Sequence, residues 1–306
     1  MGIRSKVSRS TLADANEKRD SRIYADFAQL LIHEARKLYV DDDFGLQLKE
    51  TVYAFDAIIV DLCLSVFPWA RFRKTKAGIK LHTLLDLRGN IPSFIEITAA
   101  KIHEVKILDE LIHELGAIDF MDRAFLEFER LYKLHQCLAF FVARGKVNTK
   151  LRHLYSMPID RSSGLRYDKI VAPIGFYTQR AYPEKLQYVE FFNREKQQRI
   201  RLLTNQFTLP AITVADLYRC RWQVESFFRW MKEHLRIKSF CGTSENGVKS
   251  QIWIAVSVYV LAGIIKKRFK IDLNLFTMLQ IFSLTLFERR MEWEKRHQEL
   301  TGLMKR

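Results

Sequence analysis

The chain lacks the sequence features of several protein classes. Its four cysteines are far apart. None lies in a CxxC pair or beside a histidine at zinc-finger spacing, so neither a structural metal site nor a disulfide framework is indicated. The first 20 residues mix charged and polar side chains without an apolar core, so they do not resemble a secretion signal. These absences favour a protein of a reducing cytoplasm.

No hydrophobic run is long enough to cross a bilayer. The longest, residues 252–265, spans 14 positions between Lys249 and Lys266, whereas a membrane-spanning helix needs roughly 20. This run predicts a buried helix, and no membrane partner is expected.

Negative charge is the minority charge in this chain. Lys and Arg number 50 against 35 Asp and Glu, which gives a formal charge of +15 and a pI near 9.7. Such a balance favours a polyanionic partner such as nucleic acid, although ribosome-associated and membrane-surface proteins share it. The 306 residues, 48% of them hydrophobic, are enough for one large domain or two ordinary ones.

The hydrophobic pattern alternates between strand and helix periods, which is typical of an α/β fold. Residues 10–38 have a helical pattern, and residues 146–209 are polar and proline-containing with short alternating runs, as in a β-rich insertion. Between them we expect a buried strand at 51–60 and a hairpin of the strands 78–86 and 91–98 around the turn Arg88-Gly89-Asn90. A helix at 101–115, a strand at 117–121, a helix at 125–135 and a strand at 138–143 should follow.

One helical segment combines an acid with basic and aromatic residues. Tyr218, Arg221, Glu225 and Lys232 are spaced by 3, 4 and 7 residues, so on one continuous helix they would share a face. A carboxylate in such a stripe suits work beside phosphate. The alternative is that Glu225 only forms ordinary surface ion pairs with Arg221 and Arg229, each worth about 0.2–0.5 kcal/mol.

Two further acids lie where catalytic carboxylates are expected. Asp56 interrupts an apolar strand, where an unpaired acid is costly, and Asp122 lies where a later strand ends. Strand ends and adjoining helices collect ligands in α/β sheets, so these acids and Glu225 could converge. Three oxygen ligands without His or Cys suit Mg²⁺ or Mn²⁺. Sequence spacing alone does not exclude Asp61 or Asp119 as the partner instead.

These residues resemble the insertion sequence 4 family of DDE transposases, whose hallmark is Tyr, two residues, Arg, three residues, Glu, six residues and Lys. Tyr218, Arg221, Glu225 and Lys232 satisfy this spacing, and the residues around Asp56 and Asp122 extend the likeness. The family implies a ribonuclease-H-like mixed sheet with flanking helices and a β-rich insertion before the last catalytic helix. The expected division is a helical remnant of a DNA-binding domain at 1–45, the core at 46–145 and 210–270, the insertion at 146–209 and a helical region at 271–306.

The resemblance also implies roles for the motif residues. Asp56, Asp122 and Glu225 would be catalytic and hold two Mg²⁺ or Mn²⁺ ions, cleaving and joining DNA strands at insertion-sequence ends. The implied partners are double-stranded DNA, as terminal inverted repeats and target, and a second copy of the chain, in the nucleoid of a bacterial cytoplasm. The expected DNA-binding residues are Tyr218, Arg221, Lys232, Arg229 and Trp222.

Some positions depart from the family pattern. Ala124 stands where members often carry Gly, and if that position requires a positive φ it would cost on the order of 1 kcal/mol. The chain also begins later than its relatives usually do. We therefore keep two alternatives, a truncated or decayed transposase and a non-catalytic, basic DNA-binding protein.

Overall fold

A computed structural model of the chain describes residues 7–46, 48–194, 197–234, 240 and 242–285. Ten strands form one mixed sheet, and helices cover its two faces. The strands are β1 (Val52–Leu62), β2 (Arg71–Arg73), β3 (Lys76–Asp86), β4 (Ile91–Ala99), β5 (Ile118–Met121), β6 (Phe140–Arg144), β7 (Leu151–Ser156), β8 (Leu165–Pro173), β9 (Leu186–Asn193) and β10 (Gln198–Thr204). The helices are α1 (Arg9–Lys18), α2 (Ser21–Tyr39), α3 (Phe128–Gln136), α4 (Phe176–Ala181), α5 (Ala211–Cys220), α6 (Trp222–His234), α7 (Glu245–Arg268) and α8 (Leu275–Thr285).

Five strands reproduce the ribonuclease-H-like order. β4, β3 and β1 form an antiparallel meander, and β5 and β6 follow on the other side of β1, both parallel to it. The predicted fold class is therefore confirmed. β5 and the centre of β6 are fully buried because both of their faces are covered by packed side chains.

The hairpin between β3 and β4 closes at the predicted turn. Gly89 and Asn90 have positive φ values of 74° and 58°. A Cβ atom on Gly89 would lie 2.2 Å from the ring of Tyr39, so the missing side chain lets the turn approach α2 closely.

The β-rich segment extends the central sheet. β10 pairs antiparallel with β6, and β9, β8 and β7 follow outward in that order. The strands lie inside the range 146–209, and the domain boundaries themselves stay a prediction. The insertion therefore continues the sheet on the side of β1 where β5 and β6 lie.

Helices α2 and α7 lie side by side and run in the same direction. The amide of Ser21 donates to Asn246 Oδ1 at 2.9 Å near their first residues, and Tyr39 Oη donates to the Gly263 carbonyl at 2.8 Å near their last. At 24 residues, α7 is longer than the apolar run predicted, and by length and composition alone it could span a membrane. Most of its apolar stretch is buried against α2 and the sheet, as in a core helix of a globular protein.

Two predicted helices differ from the structure. The helical pattern over 10–38 breaks into α1 and α2 because Asp20 caps the second helix, accepting from the Arg22 amide at 2.9 Å. The helix predicted over 101–115 is wrong, since only a short 3-10 turn at Glu104–Asp109 forms there. Its apolar residues anchor the segment in the core below β1, so tertiary packing outweighs helix propensity. Of the predicted helical region 271–306, residues 286–306 lie outside the described part of the chain.

Candidate active site

The predicted motif helix is divided at Arg221. α5 ends at Cys220, α6 begins at Trp222, and Arg221 between them keeps a right-handed helical conformation. The single continuous helix we expected is therefore wrong. Tyr218 on α5 is buried, whereas Glu225 on α6 is exposed, so the two do not share one solvent-facing stripe.

Asp56 and Asp122 follow matched positions on neighbouring strands. Phe55 on β1 pairs with Met121 on the parallel strand β5, so the two acids come next in register. Both Phe55 and Met121 point into the core on one side of the sheet. Because side chains alternate along a strand, Asp56 and Asp122 face the other side, where α6 packs.

Arg221 joins the acid of β1 to the acid of α6. Its Nη1 atom donates to Asp56 Oδ2 at 2.8 Å, and its Nη2 atom donates to Glu225 Oε1 at 2.5 Å. The Arg221 side chain is 12% exposed and that of Asp56 is 21% exposed. Asp56 Oδ1 also accepts from the amide of Ala57 at 2.8 Å. Two of the three predicted acids thus share one buried cation.

The electrostatics of this cluster are set by burial and by the neighbouring charges. Burial raises the pKa of Asp56 to about 6, although Arg221 and the Ala57 amide lower it. Burial opposes the charge of Arg221, yet Asp56, Tyr218, Glu225 and Asp122 raise its pKa overall. Burial raises the pKa of Tyr218, so its hydroxyl stays neutral at physiological pH.

Asp122 has an unsatisfied oxygen. Its Oδ1 atom is buried and accepts no hydrogen bond in the structure. The nearest charged group is Arg144 Nη1 at 3.7 Å, which is an ion-pair distance but longer than a hydrogen bond. Arg144 ends β6, the strand next to β5, and donates to Gln198 Oε1 at 3.2 Å. A buried carboxylate oxygen without a donor is what a site for a cation requires.

Glu225 lines a basic cleft of about 500 Å³ between the insertion and the α5–α6 junction. Asp56 and Asp122 lie behind its wall, where they pair with the lining residues Arg221 and Arg144. Its walls come from the turn before β8 and the ends of β6, β9 and β10 on one side and from α5 and α6 on the other. Its charged and aromatic lining residues are Arg144, Arg194, Arg219, Arg221, Glu225, Phe192, Tyr218 and Trp222.

The structure distributes the predicted DNA-binding residues unevenly. Tyr218 and Arg221 lie in the cleft wall with Trp222, whose side chain is exposed at its mouth. Arg229 and Lys232 are exposed further along α6 and do not line the cleft. Arg144 was missed by the sequence reasoning. The available signal was its place directly after the predicted strand 138–143.

The competing acids are placed elsewhere. Asp61 is exposed near the end of β1. Asp119 is buried within β5, and His113 Nδ1 lies 2.9 Å from its Oδ2 atom. Glu104, which the prediction did not consider, acts on Asp56 through its charge and pairs with Lys80 at 3.2 Å.

The acids fit a divalent ion by chemistry, and Arg221 holds the intervening position. In the described ranges, no three Asp, Glu, His or Cys side chains are grouped closely enough to hold a metal as they stand. The donors of Asp56, Asp122 and Glu225 are all oxygen, which suits Mg²⁺ or Mn²⁺. The Asp122 oxygen has no donor among the residues that the structure describes, and the other two acids already bind a guanidinium, so the electrostatics at this position favour a cation.

The departure at Ala124 carries no backbone strain. Ala124 lies in the 3-10 turn Arg123–Phe125 and does not have a positive φ. The cost expected for replacing a left-handed glycine therefore does not arise, and Asp122 keeps its place at the end of β5.

Comparison with known proteins identifies the family. Residues 47–261 match the family profile described as "Transposase DDE domain". The chain is 28% identical over 282 residues to a putative transposase y4zB of Sinorhizobium fredii (strain NBRC 101917 / NGR234), covering 91% of this chain and 77% of that protein.

Two further relatives carry insertion-sequence names. A probable transposase for insertion sequence element IS5377 from Geobacillus stearothermophilus is 29% identical over 244 residues, covering 78% of this chain and 64% of the relative. A putative transposase for insertion sequence element IS4SA from Synechocystis sp. (strain ATCC 27184 / PCC 6803 / Kazusa) is 24% identical over 268 residues, covering 83% and 71%. With more than two thirds of its residues inside the matching profile, the chain belongs to the DDE transposase domain family.

Proposed function

We propose that the chain catalyses metal-dependent cleavage and transfer of DNA strands at the ends of an insertion sequence. The observation that supports this proposal is that Arg221, in the wall of a basic cleft, binds Asp56 and Glu225 and is influenced by the charge of Asp122. A non-catalytic DNA-binding protein would need the arginines of the cleft but not three acids from three separate elements.

In this proposal the acids bind metal ions and the arginines bind DNA phosphates. Asp56, Asp122 and Glu225 would hold the divalent ions, which supply charge stabilisation of the phosphoryl transition state and activation of the attacking hydroxyl. Arg221 can bind a DNA phosphate with two parallel hydrogen bonds once its guanidinium faces the cleft. Tyr218, neutral and buried beside it, limits the positions that the guanidinium can take.

The cleft supports double-stranded DNA as the partner. Four arginines line it against one acid, Glu225, and such a surface binds the phosphate backbone by releasing counterions. The residues of the insertion, including Arg194 and Phe192, would then contact DNA on the side opposite α6. We propose further that two copies of the chain act on paired ends in the nucleoid, as the relation to insertion sequences suggests.

Nicking of terminal-repeat DNA in Mg²⁺ tests the proposal. Asp56→Asn and Glu225→Gln remove one negative charge each with little change of shape, and we expect nicking to fall by more than about 100-fold, beyond the loss caused by disturbing groups that only orient metal ligands. The matched control is Asp61→Asn, the same substitution at an exposed position of the same strand, which should keep wild-type nicking.

Retained nicking in Asp56→Asn would refute the enzymatic proposal. DNA binding without nicking in the wild-type chain would instead favour the decayed transposase, which keeps the cleft but has lost turnover.

A further inference from the structure

Arg221 holds the oxygens that a metal ion would need. Its guanidinium donates one hydrogen bond to Asp56 and another to Glu225, and only 12% of the side chain is exposed. An arginine does not lose its proton at any physiological pH. In this structure, one permanent cation therefore pairs with two of the three acids, and Asp122 adds further negative potential around it.

Arg221 and a divalent ion compete for the same oxygens. Mg²⁺ demands a nearly ideal octahedral shell with oxygens at about 2.0–2.1 Å. Asp56 Oδ2 and Glu225 Oε1 are directed at nitrogen atoms of the guanidinium instead. A cation placed between these carboxylates would also meet the positive charge of Arg221 at close range, and in a partly buried site that repulsion is strong.

A phosphate group is the natural competitor for Arg221. The guanidinium lies in the wall of the basic cleft, beside Arg219 and Trp222. The donors that now hold two carboxylates match the two oxygens of a phosphodiester equally well. Arg221 also sits at the junction of α5 and α6, and its side chain can turn from the acids to the cleft without unfolding either helix.

We infer that Arg221 is a built-in counterion that keeps Asp56 and Glu225 from binding metal until a DNA phosphate draws the guanidinium into the cleft. This inference rests on the proposed function and adds an order to it, because DNA binding then creates the metal site. The free protein would bind divalent ions weakly. Unrelated DNA that it contacts only briefly would therefore escape metal-dependent nicking.

Titration of the DNA-free protein with Mn²⁺, followed by the EPR signal of the unbound ion, tests the inference directly. Arg221→Gln should bind Mn²⁺ on the order of tenfold more tightly than wild type, because a fixed positive charge has left the ligands. The matched control is Arg219→Gln. It removes the same charge from the same cleft, but Arg219 pairs with Asp216 and not with Asp56 or Glu225, so its Mn²⁺ affinity should stay at the wild-type value.

Two further measurements guard against a folding failure. Arg221→Lys keeps the charge but reaches one carboxylate at a time, so its Mn²⁺ affinity should lie between those of wild type and Arg221→Gln. Wild-type protein should gain Mn²⁺ affinity when a short DNA duplex is added. The same titration of Asp56→Asn with the duplex measures the Mn²⁺ that DNA binds by itself, and this amount is subtracted from the wild-type value.

The outcomes separate the inference from the proposed function. Equal, measurable Mn²⁺ affinity in wild type and Arg221→Gln, unchanged by duplex, would overturn the counterion role and leave the metal site standing. Absence of any Mn²⁺ binding that depends on Asp56, with or without DNA, would overturn both. Tighter binding in Arg221→Gln with no change in Arg219→Gln supports the inference.

Discussion

Asp119 and Asp122 lie three residues apart at strand β5, and their surroundings are opposite. Asp119 is buried inside the strand and is paired with His113 at 2.9 Å. Asp122 follows the strand, has a buried oxygen without a hydrogen-bond donor, and has Arg144 only at 3.7 Å. Asp119 thus has a hydrogen-bond partner within the protein, whereas in the described part of the chain no cation lies within hydrogen-bond distance of Asp122. This difference supports a structural role for Asp119 and the proposed ligand-binding role for Asp122.

The largest expected effect is on nicking. Asp122→Ala should lower Mg²⁺-dependent nicking of terminal-repeat DNA by more than about 100-fold, because it removes a proposed metal ligand. Asp119→Ala should keep nicking within a few-fold of wild type when it is assayed well below its melting temperature. Equal losses of nicking in the two variants would contradict the proposal that Asp122, and not Asp119, acts in catalysis.

Stability should change in the reverse order. Asp119→Ala should lower the free energy of unfolding by about 3 kcal/mol, because it leaves a buried His113 without its partner. Asp122→Ala should cost less than about 1 kcal/mol, since its Oδ1 atom makes no hydrogen bond that is lost. Urea unfolding of both variants measures this, and a larger cost for Asp122→Ala would contradict the assignment of roles.

The pH dependence of stability should reveal the cost of burying the Asp56 carboxylate. The folded protein keeps the Asp56 proton up to about pH 6, whereas an ordinary aspartate releases it near 3.8. Between these values the folded state binds more protons, so raising the pH lowers the free energy of unfolding. This difference between the folded and ordinary pKa of Asp56 corresponds to about 2 kcal/mol after allowance for the exposed part of the side chain.

The comparison of wild type with Asp56→Asn isolates this contribution from other titrating groups. Urea unfolding at pH 4 and pH 7 should show the variant gaining about 2 kcal/mol relative to wild type over that interval. A constant difference between the two proteins across the interval would show that burial does not raise the pKa of Asp56.

The smallest effect is expected at the charge nearest to Asp122. Arg144→Gln should reduce the slope of log affinity for DNA against log salt by about 1, the value for one lost phosphate contact. Lys37→Gln, on the surface of α2 and outside the cleft, is the matched loss of charge and should leave the slope unchanged. An unchanged slope in Arg144→Gln would show that Arg144 serves Asp122 alone.

The sequence was sufficient where the signal is local. The hairpin at Gly89 follows from turn chemistry, and the strands β1, β5 and β6 follow from apolar runs of the right length. The 101–115 segment misled because its apolar spacing suits a helix, while the actual path is decided by packing against the sheet. The break at Arg221 was equally invisible, since no Gly, Pro or capping residue lies between Tyr218 and Glu225 to mark it.

The site shows the same division. The spacing around Glu225 indicated the family, and strand positions together with that resemblance nominated Asp56 and Asp122. Spacing alone could not separate Asp122 from Asp119, because the two differ in what surrounds them. The role of Arg144 needed the parallel order of β5 and β6 before it could be seen.

The sequence by itself determined the fold class, the family and the identity of the candidate acids, because these depend on residue types at short, regular spacings. Only the tertiary structure decided that Arg221 stands between Asp56 and Glu225, that Asp122 is left unsatisfied, and that the insertion completes the cleft. Those facts arise from contacts between strands and helices that are far apart in the chain, and no local pattern encodes such distances.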